Sequence, residues 1–595
     1  MYIRSKIASK LTFGNRAGSS QLAGQFVRFN TTKTTPISTS DSTPAQNPVP
    51  TPKSSDEKSK KDSSKSTFFR TGGIFILGSI AGAGYISLKV ANETPEFLFP
   101  SSSITRLQDT ISPTYGNPSK TISELTALLG PSKITTSKSV LDDHSDTYWS
   151  THHATESQRP DCIVYPESTE EVSEIMKICH KNKVPVIPFS GGTSLEGQFI
   201  PTRNGICIDL GKMNKVLALH KEDLDIVVQP TVGWEELRDY LDDFGLLFGP
   251  DPGPGACIGG MVGTSCSGPN AARYGTMKEN VLSVTVVLAD GTIIKTKKRP
   301  RKSSAGYNLT GLFIGSEGTL GIVTETTLKL HVKPKFENVA VVSFPDLRAA
   351  ANTVAELVQQ GIAVNALEFL DKNMMKFVNF SGETSLKYDE LPTLMLKLGG
   401  NSKESAHLLT KTVQQICKEN GNKQFRFAES EEEKFELWNA RKVALWSTIN
   451  YGKSTIDPDI QVWTTDVAVP ISRLCDSLET TQKEIAEAGL TASIVGHAGD
   501  GNYHALILFK NTPEEYLKTK ELVQQMVTRA IEAEGTVTGE HGVGYGKRAY
   551  LLQEAGEETV GLMRKVKYAI DPLRILNPDK VFITDPNEPV DEHTL

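Results

Sequence analysis

From Ile122 onward, short apolar runs alternate with longer segments whose apolar positions return every three or four residues, the pattern of strands interleaved with amphipathic helices. Cys162-Ile-Val-Tyr165 predicts a strand. Ser168 and Glu171 stand at capping-box spacing ahead of a helix whose apolar face comprises Val172, Ile175, Met176 and Cys179. Val184 to Ile187 predicts the next strand, so this region opens as a βαβ unit. Far downstream, Ser493 to Gly496 and Tyr503 to Leu508 are β-prone runs joined by Ala498-Gly-Asp-Gly-Asn502, a turn composition that predicts a hairpin. Thr512-Pro-Glu-Glu515 then starts a capped helix with proline in its first turn, running toward Gly535.

Before residue 122 the pattern is different. Thr34 to Ser66 is almost wholly Ser, Thr, Pro, Lys and Asp, which bury too little apolar surface to offset the entropy of folding. Thr71 to Leu88 then runs uncharged between Arg70 and Lys89, long enough to cross most of a bilayer, although five glycines weaken it as a helix. The first forty residues carry Arg4, Lys6, Lys10, Arg16, Arg28 and Lys33 among Ser, Thr and apolar residues, with no acid before Asp41, the composition of a mitochondrial transit peptide. The expected order is a presequence over 1–33, a disordered linker over 34–70 and a transmembrane anchor over 71–90. Import arrested at that anchor in the inner mitochondrial membrane would leave the remainder facing the intermembrane space.

Composition narrows the function. A chain of 595 residues is too long for a single core and implies two or three domains. A net charge of −6, without any domain-wide excess of Lys and Arg, excludes a nucleic-acid binder and points to a small-molecule partner. The seven cysteines form no C-x-x-C pair, which argues against a zinc ribbon or a disulfide framework and for buried free thiols.

Three glycine-rich loops interrupt the strand and helix pattern. In PFSGGTSLEGQ, residues 188–198, Gly191 and Gly192 lie among Ser190, Thr193 and Ser194, so successive N–H groups can turn toward one point and form an anion nest suited to a pyrophosphate. A tight turn with no ligand is the plain alternative. The tract Gly249 to Gly275 contains Gly253-x-Gly255-x-x-x-Gly259, but Pro250-Asp-Pro252 precedes it and breaks the strand that a nicotinamide fingerprint requires. The third loop spans Gly311 to Thr324. Together they can wrap a long, extended cofactor.

The predicted hairpin places His497 and His504 on neighbouring strands, and Gly539-Glu540-His541-Gly542 supplies a carboxylate and a third imidazole from a glycine-flanked loop. Two imidazoles and a carboxylate suit a divalent metal with positions left for substrate oxygens; histidines satisfied within turns are the alternative. Arg441 follows Leu437 and Trp438 on the same predicted helix, so its guanidinium needs an anion, from substrate or from a structural ion pair. KTKKRPRK, 295–302, reads as a solvated loop, and ESEEEKFE, 429–436, as an acidic helix start.

PFSGGTSLEGQ, IGGMVGTSCSG and GLFIGSEGTLGIVTE together resemble the FAD-binding domain of the vanillyl-alcohol-oxidase and p-cresol-methylhydroxylase superfamily, over roughly Gln158 to Lys333. GHAGDGNYH and GTVTGEHGVGYGK resemble its D-2-hydroxyacid dehydrogenase branch. The resemblance implies an α+β fold with a two-subdomain FAD-binding domain over 120–335 and a substrate, or cap, domain over 336–560. A C-terminal segment, 561–595, would pack back on the FAD domain. The FAD pyrophosphate would rest on Ser190, Gly191, Gly192, Thr193 and Ser194. The isoalloxazine would be held by Pro252, Gly253, Gly260, Gly263, Thr264, Ser267, Gly268, Ile322 and Val323. Relatives with covalent flavin carry histidine after the paired glycines; Thr193 stands here, so FAD is expected to be noncovalent.

The same resemblance assigns a divalent metal, Zn or Mn, to His497, His504 and Glu540, the general base to His541 and the substrate carboxylate to Arg441. It also implies a substrate-binding lysine between the Arg441 helix and Asp466-Val-Ala-Val-Pro470, but here that stretch ends Gln461-Val-Trp-Thr-Thr465 with no lysine nearer than Lys453, which favours a substrate without a second carboxylate. The implied activity is oxidation of a D-2-hydroxy acid, foremost D-lactate, with electrons passed to cytochrome c. D-2-Hydroxyglutarate or glycolate is the alternative substrate. A non-redox alkylglycerone-phosphate synthesis on the same fold fits the histidine pair less well.

Overall fold

The structure is a computed structural model and describes residues 112–585. The expected presequence, linker and anchor over 1–90, and residues 586–595, lie outside the described residues. Among the described residues no helix is long and apolar enough to cross a membrane.

The βαβ opening forms, with one strand inserted. The first sheet runs Ile134–Thr135, Cys162–Val164, Ile206–Asp209, Val186–Phe189, and the last three strands are parallel. Ile206–Asp209 therefore separates the two strands that the sequence pattern places in succession. The helix Thr169–Asn182 buries Val172, Ile175, Met176 and Cys179, as its periodicity predicts. Only half of the capping box forms: Ser168 Oγ accepts from the Glu171 amide, whereas the Glu171 carboxylate accepts from the Glu167 amide and from Lys133. The carboxylate thus reaches one residue further back than a capping box requires, where it meets both an amide and a cation. Ile575 and Leu576 join this core, and the chain there bonds to Val186 on both sides, the Val186 amide donating to Ile575 O and the Asn577 amide to Val186 O.

A second, antiparallel sheet runs Val216–His220, Asp225–Val228, Ile322–Lys329, Val281–Val287, Ile293–Lys295. Two of the glycine-rich tracts are not wholly loops. Ile258–Thr264 and Leu309–Phe313 are short helices, and the first buries Ile258, Met261 and Val262, a spacing of three and four residues that its glycines obscure. Within the basic run, Arg299 pairs with Asp223 and Asp225. The acidic run caps and opens the helix Glu431–Lys442, with Ser430 accepting from the Glu433 amide.

The third sheet orders its strands as Gln424–Phe427, Phe336–Ser343, Thr393–Gly400, Ala366–Leu370, Thr491–His497, Asn502–Phe509, Gln461–Thr464, with Val467–Ala468 also pairing to Asn502–Phe509. Alternation along each strand divides its side chains between two cores. Ala340, Val342, Leu367, Phe369 and Ile494 pack with Leu347, Leu474 and Leu522 on one face. Val339, Val341, Ala366, Leu370, Val495 and Leu506 pack with Leu437 and Ala440 on the other. That second face is the one to which Glu368, His497 and His504 belong, because they alternate in phase with Ala366, Val495 and Leu506. All seven cysteines are free; five are buried and Cys257 and Cys475 are half-buried.

Candidate active site

A cleft of about 860 Å³ runs from the Ser190–Ser194 loop, past Pro252 and the helix Ile258–Thr264, to the second face of the third sheet. It brings together nearly every residue the sequence nominates. Ser190, Gly191, Gly192, Thr193 and Ser194 line it, as do Pro252, Gly253, Gly260, Gly263, Thr264, Gly268, Ile322 and Val323. Arg441, His497, His504, Glu540 and His541 line the same cleft. Ser267 is the exception, being buried but absent from the cleft wall.

Among the described residues, the amides of Gly191, Gly192, Thr193 and Ser194 find no acceptor, leaving a row of donors free for an anion. The paired glycines serve the packing of the loop. A Cβ at Gly191 would stand 2.9 Å from the Gly255 carbonyl oxygen, and at Gly192, where φ is +64°, 2.7 Å from the Phe189 ring. Gly260 differs, since a Cβ there would meet nothing within 4 Å and would project into the cleft. The residues thus fit a bound dinucleotide. Gly260→Val is expected to leave the fold intact and to lower bound flavin roughly tenfold, the scale of an overpacked contact. Full flavin absorbance per protein in the purified variant would refute the placement.

The far end of the cleft is set by the hairpin. Val495 pairs with His504 and His497 with Asn502, so the two imidazoles stand on adjacent strands with ring centres 5.5 Å apart. His497 Nδ1 lies 2.8 Å from Glu368 Oε1, and its Nε2 lies 2.9 Å from Glu540 Oε1. His504 Nδ1 donates to the Thr465 carbonyl at 3.0 Å, which fixes its tautomer and leaves Nε2 facing Glu540 Oε1 at 3.4 Å. The loop carrying Glu540 and His541 is held by backbone bonds. Asp466 Oδ2 accepts from the amides of Glu540 at 2.9 Å and His541 at 2.7 Å and from the Thr538 hydroxyl. The Glu317 carboxylate accepts from the amides of Val543 and Gly544.

The electrostatics follow from burial and charge. Burial opposes ionisation of Glu540, yet His497 and His504 hold its carboxyl well below the usual range. Burial likewise disfavours the charged form of His497, but Glu368 and Glu540 outweigh it and raise its pKa. For His504 burial prevails and lowers the pKa, keeping that imidazole neutral.

These donors fit a divalent metal. His497, His504 and Glu540 offer ligand atoms that lie within 4.8 Å of one another. Glu540 Oε2 is buried without a hydrogen-bond partner, and Glu368 stands behind His497 as the carboxylate that orients a ligating imidazole. Asp466, His504 and His541 also lie close enough to share an ion. They fit less well, because Asp466 Oδ2 already accepts three donors and His504 directs Nδ1 at a carbonyl.

Arg441 receives its anion within the protein: its Nε donates to Glu368 Oε2 at 2.5 Å, while the residue still lines the cleft. Neither Glu368 nor Asp466 was nominated by the sequence. Each is a carboxylate inside or beside a short apolar strand, Ala366–Leu370 or Val467–Ala468, which signals a buried charge without naming its partner. Lys442, next to Arg441, also lines the cleft and escaped notice.

Comparison with known proteins identifies the family and the fold. The FAD binding domain family matches residues 160–297, and the C-terminal domain of FAD linked oxidases matches residues 333–581. The chain is 56% identical to the mitochondrial D-lactate dehydrogenase [cytochrome] of Kluyveromyces lactis, over 86% of this chain and 90% of that protein. It is 57% identical to the mitochondrial D-lactate dehydrogenase [cytochrome] 1 of Saccharomyces cerevisiae, over 80% and 81%. Substrate-bound p-cresol methylhydroxylase superposes with a TM-score of 0.60 over 79% of this chain and 98% of that one, at 18% identity, which speaks to fold alone. The fold is therefore the one the sequence implied, an FAD-binding domain of the p-cresol-methylhydroxylase type joined to a C-terminal α+β domain. With a cofactor cleft built from glycine-rich loops, and with this identity across most of both chains, the protein belongs to the D-lactate dehydrogenase (cytochrome) family of FAD-linked oxidoreductases.

Proposed function

We propose that the chain oxidises D-lactate to pyruvate with noncovalent FAD and passes the electrons to cytochrome c. The observation that carries this reading is the convergence of Arg441, His541 and the His497, His504 and Glu540 donors on one end of the cleft. The names of the two fungal relatives support the substrate and the acceptor.

Oxidation of a 2-hydroxy acid removes the hydroxyl proton and transfers hydride from the adjacent carbon. Bound FAD supplies the hydride acceptor. A divalent metal, Zn or Mn, held by His497, His504 and Glu540 would lower the pKa of the substrate hydroxyl. Arg441 pairs with the substrate carboxylate, its Nε anchored on Glu368 so that the remaining N–H groups are available on the cleft side. His541 accepts the hydroxyl proton. Trp438, Leu445, Val495 and Leu506 give the same cleft apolar wall, which suits the methyl group of D-lactate. Mixing the oxidised protein anaerobically with D-lactate, L-lactate, D-2-hydroxyglutarate and glycolate is expected to bleach the flavin fastest with D-lactate. Faster bleaching by D-2-hydroxyglutarate would overturn the substrate assignment.

The same reading divides the chain into an FAD-binding domain over 120–335, a cap domain over 336–560 and a returning segment from 561. It also anchors the protein in the inner mitochondrial membrane through 71–90, with the catalytic part in the intermembrane space. That orientation gives direct access to soluble cytochrome c. Protease added to mitochondria with a ruptured outer membrane is expected to degrade the catalytic part; protection until the inner membrane is opened would reverse the orientation.

A further inference from the structure

Glu196 lies two residues beyond the Ser190–Ser194 loop, is 1% exposed and takes no part in the mechanism above. Its surroundings give it one. His541 Nδ1 is buried with no hydrogen-bond partner, and two carboxylates face it: Glu196 Oε1 at 3.5 Å and Asp466 Oδ2 at 3.9 Å. Asp466 Oδ2 is already occupied, accepting from the amides of Glu540 and His541 and from the Thr538 hydroxyl. Glu196 Oε1 makes no hydrogen bond of its own, although Lys547 Nζ stands 2.9 Å away as a charge partner. A ring nitrogen without a partner therefore confronts a carboxylate oxygen whose charge is balanced by Lys547, a few tenths of an ångström beyond hydrogen-bond distance.

We propose that Glu196 is the positioning residue of His541, taking a hydrogen bond from Nδ1–H and so directing the lone pair of Nε2 at the substrate hydroxyl. The inference rests on the D-lactate reading given above. A neutral imidazole carries its proton on either nitrogen, and the acceptor behind the ring decides which. With Glu196 as that acceptor, Nε2 is free to take the proton. The carboxylate is suited to this, since burial alone would neutralise it but Lys547, and then His152 and His541, hold it well below the usual range. It is also fixed relative to the ring, because its own peptide carbonyl accepts from the amides of Tyr545 at 2.8 Å and Gly546 at 3.2 Å in the base-bearing loop. The Gln198 side chain, two residues on, donates to the His541 carbonyl at 2.7 Å. The loop that lines the cofactor cleft thus also sets the orientation of the base.

The test is a double-mutant cycle read by anaerobic stopped-flow reduction of the flavin. Glu196→Gln is expected to keep FAD and the half-saturating D-lactate concentration within about threefold of the unsubstituted protein, while slowing the limiting rate roughly 10²-fold. Glu196→Asp, which retains the charge but withdraws it by one methylene, is expected in between. Added to His541→Ala, Glu196→Gln should cost less than about twofold more, since a residue acting through His541 has nothing left to position. The proposal is overturned if Glu196→Gln reduces its flavin at the unsubstituted rate, or if it costs its full factor again in the His541→Ala background. If the glutamine variant fails to fold, the aspartate variant decides, an unsubstituted rate overturning the proposal. Should D-lactate leave the unsubstituted flavin oxidised while another 2-hydroxy acid reduces it, only the substrate reading fails, and the cycle is read with that acid.

Discussion

His497→Ala and Glu540→Ala are expected to purify with full flavin and without the divalent metal, and to reduce that flavin with D-lactate at least roughly 10³-fold more slowly. The size of the effect follows from the acidity of an aliphatic hydroxyl, which is far too weak to ionise at neutral pH without a nearby cation. The flavin should be spared because its loops, from Ser190 to Ser194 and around Gly260, are built from other parts of the chain. His497→Ala leaves Arg441 still bonded to Glu368, so the carboxylate clamp keeps its partner. Glu540→Ala leaves the loop pinned through the amides of residues 540 and 541 on Asp466. Elemental analysis, flavin absorbance and stopped-flow reduction on the same preparations separate the three quantities. Chelator-treated protein that reduces its flavin with D-lactate at the untreated rate would show that these residues are structural.

His541→Ala should behave differently, losing roughly 10²-fold or more in the limiting rate of flavin reduction while retaining both metal and FAD. His541 is adjacent to Glu540 in sequence, yet its ring stacks on the face of His504, with centres 4.9 Å apart and planes 8° from parallel. Its Nδ1 faces Glu196 and Asp466, whereas His504 Nε2 faces Glu540. Removing the ring therefore takes away a proton acceptor without removing one of the nominated ligands. A variant that reduces its flavin within about threefold of the unsubstituted rate would remove His541 from the role of base.

The hairpin that carries the site was legible because its determinants are local. β-Prone runs and a Gly-Asp-Gly turn place His497 and His504 on adjacent strands, and alternation then puts them on one face of the sheet with Val495 and Leu506. The glycine-rich loops were legible through composition, which permits backbone donors to face an anion. The same composition hid the helix Ile258–Thr264, since glycines at positions 259, 260 and 263 dilute its apolar spacing.

Glu368, Asp466 and Glu196 were not legible as site residues. Glu368 meets His497 from 129 residues away, Arg441 from 73, and Glu196 faces a histidine from the other half of the chain. No rule of spacing joins such pairs. A lone carboxylate in an apolar strand announces only that some cation or donor must reach it, because a buried charge without a partner is too costly to keep. The amino-acid sequence by itself determined the strands, the capped helices, the donor-rich loops and the residue types able to hold a metal and move a proton. Tertiary structure alone decided which buried acid meets which base, because those pairings are set by the packing of distant strands and loops against one another, where only the assembled core excludes water and makes each contact strong.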